Sequence, residues 1–249
     1  MSFLRLSNIS KSYGDRRVLE SISLTINKGE VFCLLGVNGA GKTTLSSIIA
    51  TLQPPTSGDV LFEDVSIYGD IAAYRLNIGL CPQHPNLHSQ LTIYENLYFA
   101  GRAYRLSHDV AHNRAQYLLQ RFRLQKYAND NPSILSGGYK QRALIARTLM
   151  HDPQIILFDE PTVGLDPNVR QELWKLIREL RDAGKSIILT THYMDEAEHL
   201  ADRVCVLEKG VIQLIDTPEN LKANFSKENL ESVFLELLRQ KEEETEEAI

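Results

Sequence analysis

Two stretches of the 249-residue chain carry residue types suited to phosphate chemistry. "GVNGAGKTT", Gly36 to Thr44, follows the apolar run "VFCLL", and "IILFDE", Ile155 to Glu160, runs four apolar residues into two carboxylates. In the first, Gly36, Gly39, Gly41, Lys42 and Thr43 fit the spacing G-x-x-x-x-G-K-[ST] between an expected strand and an expected helix. Glycines there let successive backbone N–H groups turn inward around a polyphosphate, and the following helix aims its positive N-terminus at the same anion. Lys42 then offers a cation to the β- and γ-phosphates, and the Thr43 hydroxyl suits ligation of Mg²⁺. In the second stretch, an interior strand that meets the C-terminal edge of a sheet does not keep two acids without reason. Asp159 suits holding Mg²⁺ through water, and Glu160 suits orienting or deprotonating the water that attacks a γ-phosphate. A Gly-rich turn that only closes a βα unit, or a capped or salt-bridged acid, would read the same way. Together the two stretches favour binding of a nucleoside triphosphate.

A third stretch narrows the class. "LSGGYKQR", Leu135 to Arg142, sets a serine and two glycines directly before an expected helix, which makes a second anion-receptive N-terminus from Ser136, Gly137 and Gly138. One chain with two cradles suggests a nucleotide gripped from two sides.

The elements that must position these residues follow from periodicity. "FLRLSNI" and "ISLTI" alternate and are separated by turn signals at Gly14-Asp15 and Asn27-Lys28-Gly29, which predicts an antiparallel β-layer. "EVFCLLG" reads as a buried strand, and "KTTLSSIIATL" as a helix that stops at Pro54-Pro55. From about Leu91, "TIYENLYFAGRAYRL" and "VAHNRAQYLLQRFRL" repeat apolar residues at three and four spacing with no strand before Pro132, so a helical insert is expected. The helix "GYKQRALIARTLM", the strand "QIILFDE", the helix "PNVRQELWKLIRELRDAG", the strand "SIILTT", the helix "MDEAEHLAD" and strands around "RVCVLEKGVIQLI" follow. Alternation of this kind predicts a mainly parallel sheet covered on both faces. The end, "KEEETEEAI", carries five glutamates and one lysine and is expected to be a frayed, solvated tail.

Bulk composition excludes several classes. A formal charge of -5 and ordinary hydrophobic content of 43% argue against a nucleic-acid binder, a disordered chain or a fibre. Cys33, Cys81 and Cys205 lie far apart in or beside apolar runs and read as buried free thiols. No run approaches the roughly 18 to 20 apolar residues of a membrane span, and "MSFLRLSNIS" does not read as a signal peptide. A cytoplasmic location is expected, with any membrane role reached through a partner. His84 and His88, and His108 and His112, are spaced four apart, but Pro85 and the lack of further ligands favour exposed histidines over a metal site.

At this point the chain resembles the ATP-binding cassette (ABC) ATPases over residues 1 to about 220. "GVNGAGKT" is similar to their Walker A, "LSGGYKQR" to their signature and "IILFDE" to their Walker B, in the family's order. "GLDP" matches the D-loop and contains Asp166, "TTHYMDEA" places His192 at the switch histidine, "GLCPQ" places Gln83 at the Q-loop, and Tyr13 in "KSYG" matches the aromatic that stacks on adenine. The resemblance implies a P-loop NTPase (RecA-like) α/β core with a mainly parallel sheet, an N-terminal antiparallel β-layer and an inserted α-helical subdomain. It implies one nucleotide-binding domain over 1–249: residues 1–85 and 148–220 form the core, 86–147 the helical subdomain, and 221–249 a C-terminal extension.

For the site, the resemblance implies Lys42, Glu160 and His192 as catalytic groups. ATP contacts fall on Tyr13, Gly36, Asn38, Gly39, Ala40, Gly41, Lys42, Thr43, Thr44, Gln83, Ser136, Gly137, Gly138 and Asp166. Mg²⁺ falls to Thr43, Gln83 and Asp159. Two cassettes of this family close head to tail, and the chain holds a single set of motifs, so a second copy and a transmembrane permease are the expected partners, with no nucleic acid and with attachment to the inner face of the cell membrane. The texture of "LTIYENLYFAGRAYRL" and "ESVFLELL" resembles ABC-2-type exporters. The competing readings are a soluble ABC-type ATPase of translation or nucleic-acid maintenance, which usually fuses two cassettes, and a non-hydrolysing binding module. Two departures stand out: Val37 where proline is frequent, and Tyr139 where the signature usually has a non-aromatic side chain.

Overall fold

The computed structural model describes residues 3–247. Strands β1 (Leu4–Tyr13) and β2 (Arg16–Ile26) form an antiparallel hairpin that turns at Gly14-Asp15, with Leu4 opposite Ile26 and Tyr13 opposite Arg16. Two further strands, β4 (Ser57–Phe62) and β5 (Val65–Ser66), complete a four-stranded sheet in the order β2-β1-β4-β5. The alternation of "LRL" puts Leu4 and Leu6 inside while Arg5 stays partly accessible, as expected for a sheet with one wet face.

The second sheet has six strands. β3 (Val31–Leu35), β6 (Ile78–Cys81), β7 (Ile155–Asp159), β8 (Ser186–Thr191), β9 (Arg203–Glu208) and β10 (Val211–Asp216) take the order β10-β9-β3-β8-β7-β6. All neighbours are parallel except the β9–β10 hairpin. β3, β7 and β8 are buried throughout, which is why each is built on three to five consecutive apolar residues rather than an alternating pattern.

Helices cover both faces. α1 (Lys42–Ile49) lies with the antiparallel sheet, and its Leu45, Ile48 and Ile49 share one core with Phe32, Leu34, Leu157 and Ile188. It stops short of Pro54-Pro55, because Thr51 takes φ 57° and the Leu52 amide bonds back to Ser47. On the other face α6 (Pro167–Asp182) and α7 (Met194–Leu200) share a core with Cys33, Phe158 and Leu189. The same core continues into α3 (Ile93–Ala103), α4 (His108–Arg121) and α5 (Gly137–Thr148). α3 starts at a reciprocal cap, in which the Thr92 hydroxyl accepts from the Glu95 amide and the Glu95 carboxylate accepts from the Thr92 amide.

Two regions differ from expectation. Residues 57–81, which carry no expected element, supply β4, β5, the short helix α2 (Ile71–Arg75) and β6. At the other end, α8 (Pro218–Phe225) is followed by α9 (Leu230–Glu247), so the acidic segment expected to fray is helical in backbone as far as Glu247. Leu230, Val233 and Phe234 bury the start of α9, and Glu and Lys are good helix formers that carry it on. Residues 248–249 lie outside the described residues. Among the described residues, no helix is long and apolar enough to cross a membrane.

Candidate nucleotide site

A cleft of about 820 Å³ opens over the loop between β3 and α1. Its walls bring together Tyr13, Asn38, Gly39, Gly41, Lys42, Thr43, Thr44, Gln83, Glu160 and His192, ten of the residues singled out from sequence. Arg16 and Val18 of the hairpin and Val163 also line it, without any signal in the sequence that set them apart.

The loop owes its shape to positions that exclude a side chain. A Cβ on Gly36 would sit 2.2 Å from the Leu207 carbonyl oxygen, so only glycine lets β3 leave the sheet against β9. Gly41, at φ 107°, is the N-cap of α1 and turns the chain into the helix. Ala40 is buried beneath the loop. Lys42, at the first position of α1, is 4% exposed and donates to the Gly36 carbonyl at 2.7 Å and the Val37 carbonyl at 3.3 Å. Val37, the departure from proline, therefore takes part in the loop through its backbone oxygen alone.

The carboxylates leave the C-terminal end of β7. Asp159 accepts from the Thr190 hydroxyl at 2.5 Å, and that hydroxyl in turn accepts from the Glu160 amide at 3.0 Å. Burial lifts the Asp159 pKa above the ordinary carboxylate range; the Thr190 bond opposes this and the neighbouring Glu160 charge adds to it. Glu160 adopts φ 46°, a left-handed conformation rare for a residue with a Cβ, of a kind that costs about 1–3 kcal/mol and clusters at functional sites. The turn sends its carboxylate back over the loop. There Lys42 Nζ lies 3.3 Å from Oε1, while Gln83 Nε2 at 3.3 Å and His192 Nδ1 at 3.2 Å meet Oε2. Three residues from the ends of three different elements thus converge on one carboxylate. Thr190 went unnoticed in the sequence, where a threonine at a strand end has no distinctive signal.

Other expected residues lie elsewhere. Ser136 is the N-cap of α5 without a side-chain bond to the helix, and neither it nor Gly137 and Gly138 line the cleft. Asp166 caps α6 and is likewise absent from the cleft wall. Tyr139 stacks edge-on against Tyr127 at 4.8 Å, with Lys126 Nζ at 5.5 Å and the Arg142 guanidinium at 5.3 Å over its ring. Tyr13 is half exposed and donates from its hydroxyl to Gln53 Oε1 at 2.5 Å. His108 and His112 pair with the Tyr98 and Tyr94 hydroxyls at 2.8 and 2.9 Å. Cys33, Cys81 and Cys205 are free and buried, and burial pushes the Cys81 and Cys205 thiols up to about 12.

The cradle, the lysine and the carboxylate fit a triphosphate, and similarity to known proteins agrees. A Nod factor export ATP-binding protein I of Rhizobium meliloti is 43% identical over 205 residues, covering 82% of this chain and 61% of that protein. The linearmycin resistance ATP-binding protein LnrL of Bacillus subtilis (strain 168) is 39% identical over 218 residues, covering 88% of this chain and 70% of that protein. The chain thus spans about three fifths of the length of the Rhizobium relative. Among solved structures, an ATP-binding subunit of an ABC transporter superposes with a TM-score of 0.86 at 30% identity, over 95% of this chain and all of that one. A dimeric post-hydrolysis state of an ATP-binding cassette bound to ADP and Pi superposes at 0.78 and 30% identity, over 86% of this chain and 98% of that one. Residues 19–163 match the family described as ABC transporter. With the phosphate loop, Gln83 and Glu160 inside that span, the chain belongs to the ABC transporter family and has the fold of its ATP-binding cassette.

Proposed function

We propose that the chain binds and hydrolyses ATP as one nucleotide-binding subunit of a membrane exporter, in association with a separate transmembrane permease on the cytoplasmic side. The observation that carries this reading is the convergence of Lys42, Gln83 and His192 on Glu160, at 3.2 to 3.3 Å, in the wall of the phosphate-loop cleft. Export is supported by the names of the Rhizobium and Bacillus relatives.

In this reading the loop amides and Lys42 hold the β- and γ-phosphates, and Tyr13 stacks on the base. Glu160 takes the proton of the attacking water or orients it, and His192 supports the γ-phosphate. Thr43, Gln83 and Asp159 are the residues that would hold Mg²⁺, which supplies charge neutralisation of the phosphates. The Asp159 carboxyl suits that role, since burial makes its charge costly without a nearby cation. The core comprises 1–85 and 148–220, the helical subdomain 86–147, and 221–249 an extension.

Ser136, Gly137 and Gly138 do not reach the cleft of their own chain, so they serve the cleft of a second copy, with Asp166 at the contact. ATP then favours the closed pair, because only there is its γ-phosphate held from both sides, and a ligand shifts an equilibrium only by its differential affinity. The test is Glu160→Gln in the full chain. Nucleotide binding is retained, steady-state hydrolysis falls about a hundredfold or more, and light scattering finds a long-lived dimer with ATP and Mg²⁺. Full hydrolysis by this variant would remove Glu160 from the mechanism.

A further inference from the structure

Behind the cleft, α7 carries a carboxyl that the proposed reaction does not use. Glu196 is 0% exposed. Its Oε1 accepts from the indole N–H of Trp174, two turns into α6, at 3.0 Å. Its Oε2 and the Thr162 hydroxyl are both buried without a hydrogen-bond partner, and burial raises the Glu196 pKa against the opposing pull of nearby Thr191, Trp174 and Thr162. A buried acid with one oxygen incompletely satisfied costs stability that an apolar side chain would not, so its placement calls for a reason.

The three groups around it belong to three different segments of the site. Thr162 is two residues past Glu160. Thr191 directly precedes His192. Trp174 belongs to the helix that Asp166 caps. The same helix grips the histidine loop a second time: the Arg170 guanidinium lies 4.6 Å over the Tyr193 ring and donates to Asp195 at 3.3 Å, while the Tyr193 ring packs 4.2 Å from that of His192.

We propose that Glu196 is a positioning residue: with Arg170, it fastens the His192 loop to α6, so that a γ-phosphate held by His192 is felt at Asp166, where a second copy would sit. This rests on the reading of the cleft given above, but gives a role to a residue of "TTHYMDEA" other than His192 and adds a route to Asp166. Removing the fastening leaves the phosphate cradle on α1 intact while His192 loses its fixed approach to Glu160.

Trp174 is the only tryptophan of the chain, so its emission reports the contact directly. The experiment uses the full chain in five forms: wild type, Glu196→Gln, Trp174→Phe, Glu160→Gln and the double variant Glu160→Gln/Glu196→Gln. Glu196→Gln and Trp174→Phe should lower kcat for ATP about fivefold or more with KM changed less than about twofold, the split expected when an interaction matters after binding. Their thermal unfolding should stay within a few degrees of wild type. In the Glu160→Gln chain, ATP with Mg²⁺ should shift Trp174 emission and ADP should not, and adding Glu196→Gln should erase the difference. Unchanged kcat, a parallel loss of kcat, nucleotide affinity and thermal stability, or identical emission with ATP and ADP would overturn the proposal. If the wild type hydrolyses nothing, the ATPase reading fails on its own, and the emission experiment still decides the role of Glu196 from binding alone.

Discussion

The pairing of Lys42 with Glu160 makes a quantitative prediction for the nucleotide-free chain. The two side chains are 4% and 9% exposed and 3.3 Å apart, which at an effective dielectric of about 20 corresponds to roughly 5 kcal/mol of gross attraction. Desolvation of both ions offsets most of this, so the net value of the pair is small, but removing one partner alone strands the other. The partners differ in what remains. Without Lys42, Glu160 keeps only Gln83 and His192, and Lys42→Met should cost about 3 kcal/mol. Without the carboxylate, Lys42 still donates to the Gly36 and Val37 carbonyls, and Glu160→Gln should cost about 1 kcal/mol. The double variant should lose about 2 kcal/mol rather than the sum, a coupling of about 2 kcal/mol. Urea unfolding in EDTA, followed by Trp174 emission in all four chains, gives these differences provided the m-values agree. A coupling below about 0.5 kcal/mol, or Glu160→Gln costing more than Lys42→Met, would refute the reasoning.

Three further outcomes follow from the geometry. Gly36→Ala places a methyl 2.2 Å from the Leu207 carbonyl oxygen and 3.2 Å from the Ala40 Cβ, and because the closest clash is with backbone it should cost about 3 kcal/mol, read as a lowered melting temperature together with lost nucleotide binding. Asp159 has a folded pKa raised mainly by burial. Below about pH 4 folded and unfolded states both hold its proton and the group costs nothing, whereas above the raised value the cost is fully present. Asp159→Asn should therefore stabilise the metal-free chain at neutral pH, with the gain fading as pH falls from the raised folded value to about 4; urea midpoints at several pH values check this. Tyr139→Gln removes one edge-to-face ring pair and two cation–ring contacts, and should cost about 1–2 kcal/mol in thermal unfolding.

The phosphate loop and the two acids were legible in the sequence because their function demands particular residue types at fixed spacing. The buried strands β3, β7 and β8 were legible because each centres on three or more consecutive apolar residues. β4 and β6 were not, since glycine and polar residues interrupt their apolar positions and each gains its identity from a distant partner: Leu4 pairs with Phe62 and Gly79 with Ile156. No local window contains both members of such a pair. Thr190 and Glu196 were missed for a related reason. A threonine in "TTHY" and a glutamate in an acidic helix look like solvated residues until the fold buries them, at 0% exposure each. The C-terminal segment misled in the opposite direction, since its charge suggested fraying while the apolar start of α9 anchors a helix that propagates through the glutamates.

β3 sits in the interior of its sheet and turns alternate side chains to opposite cores: Val31, Cys33 and Leu35 to one, Phe32 and Leu34 to the other. Loosening this strand means opening both cores together, so no partial opening frees it. Its amide protons should therefore exchange with deuterium only as the whole cassette unravels. The loop expected to receive the phosphates is thus tethered to a strand fixed in both cores.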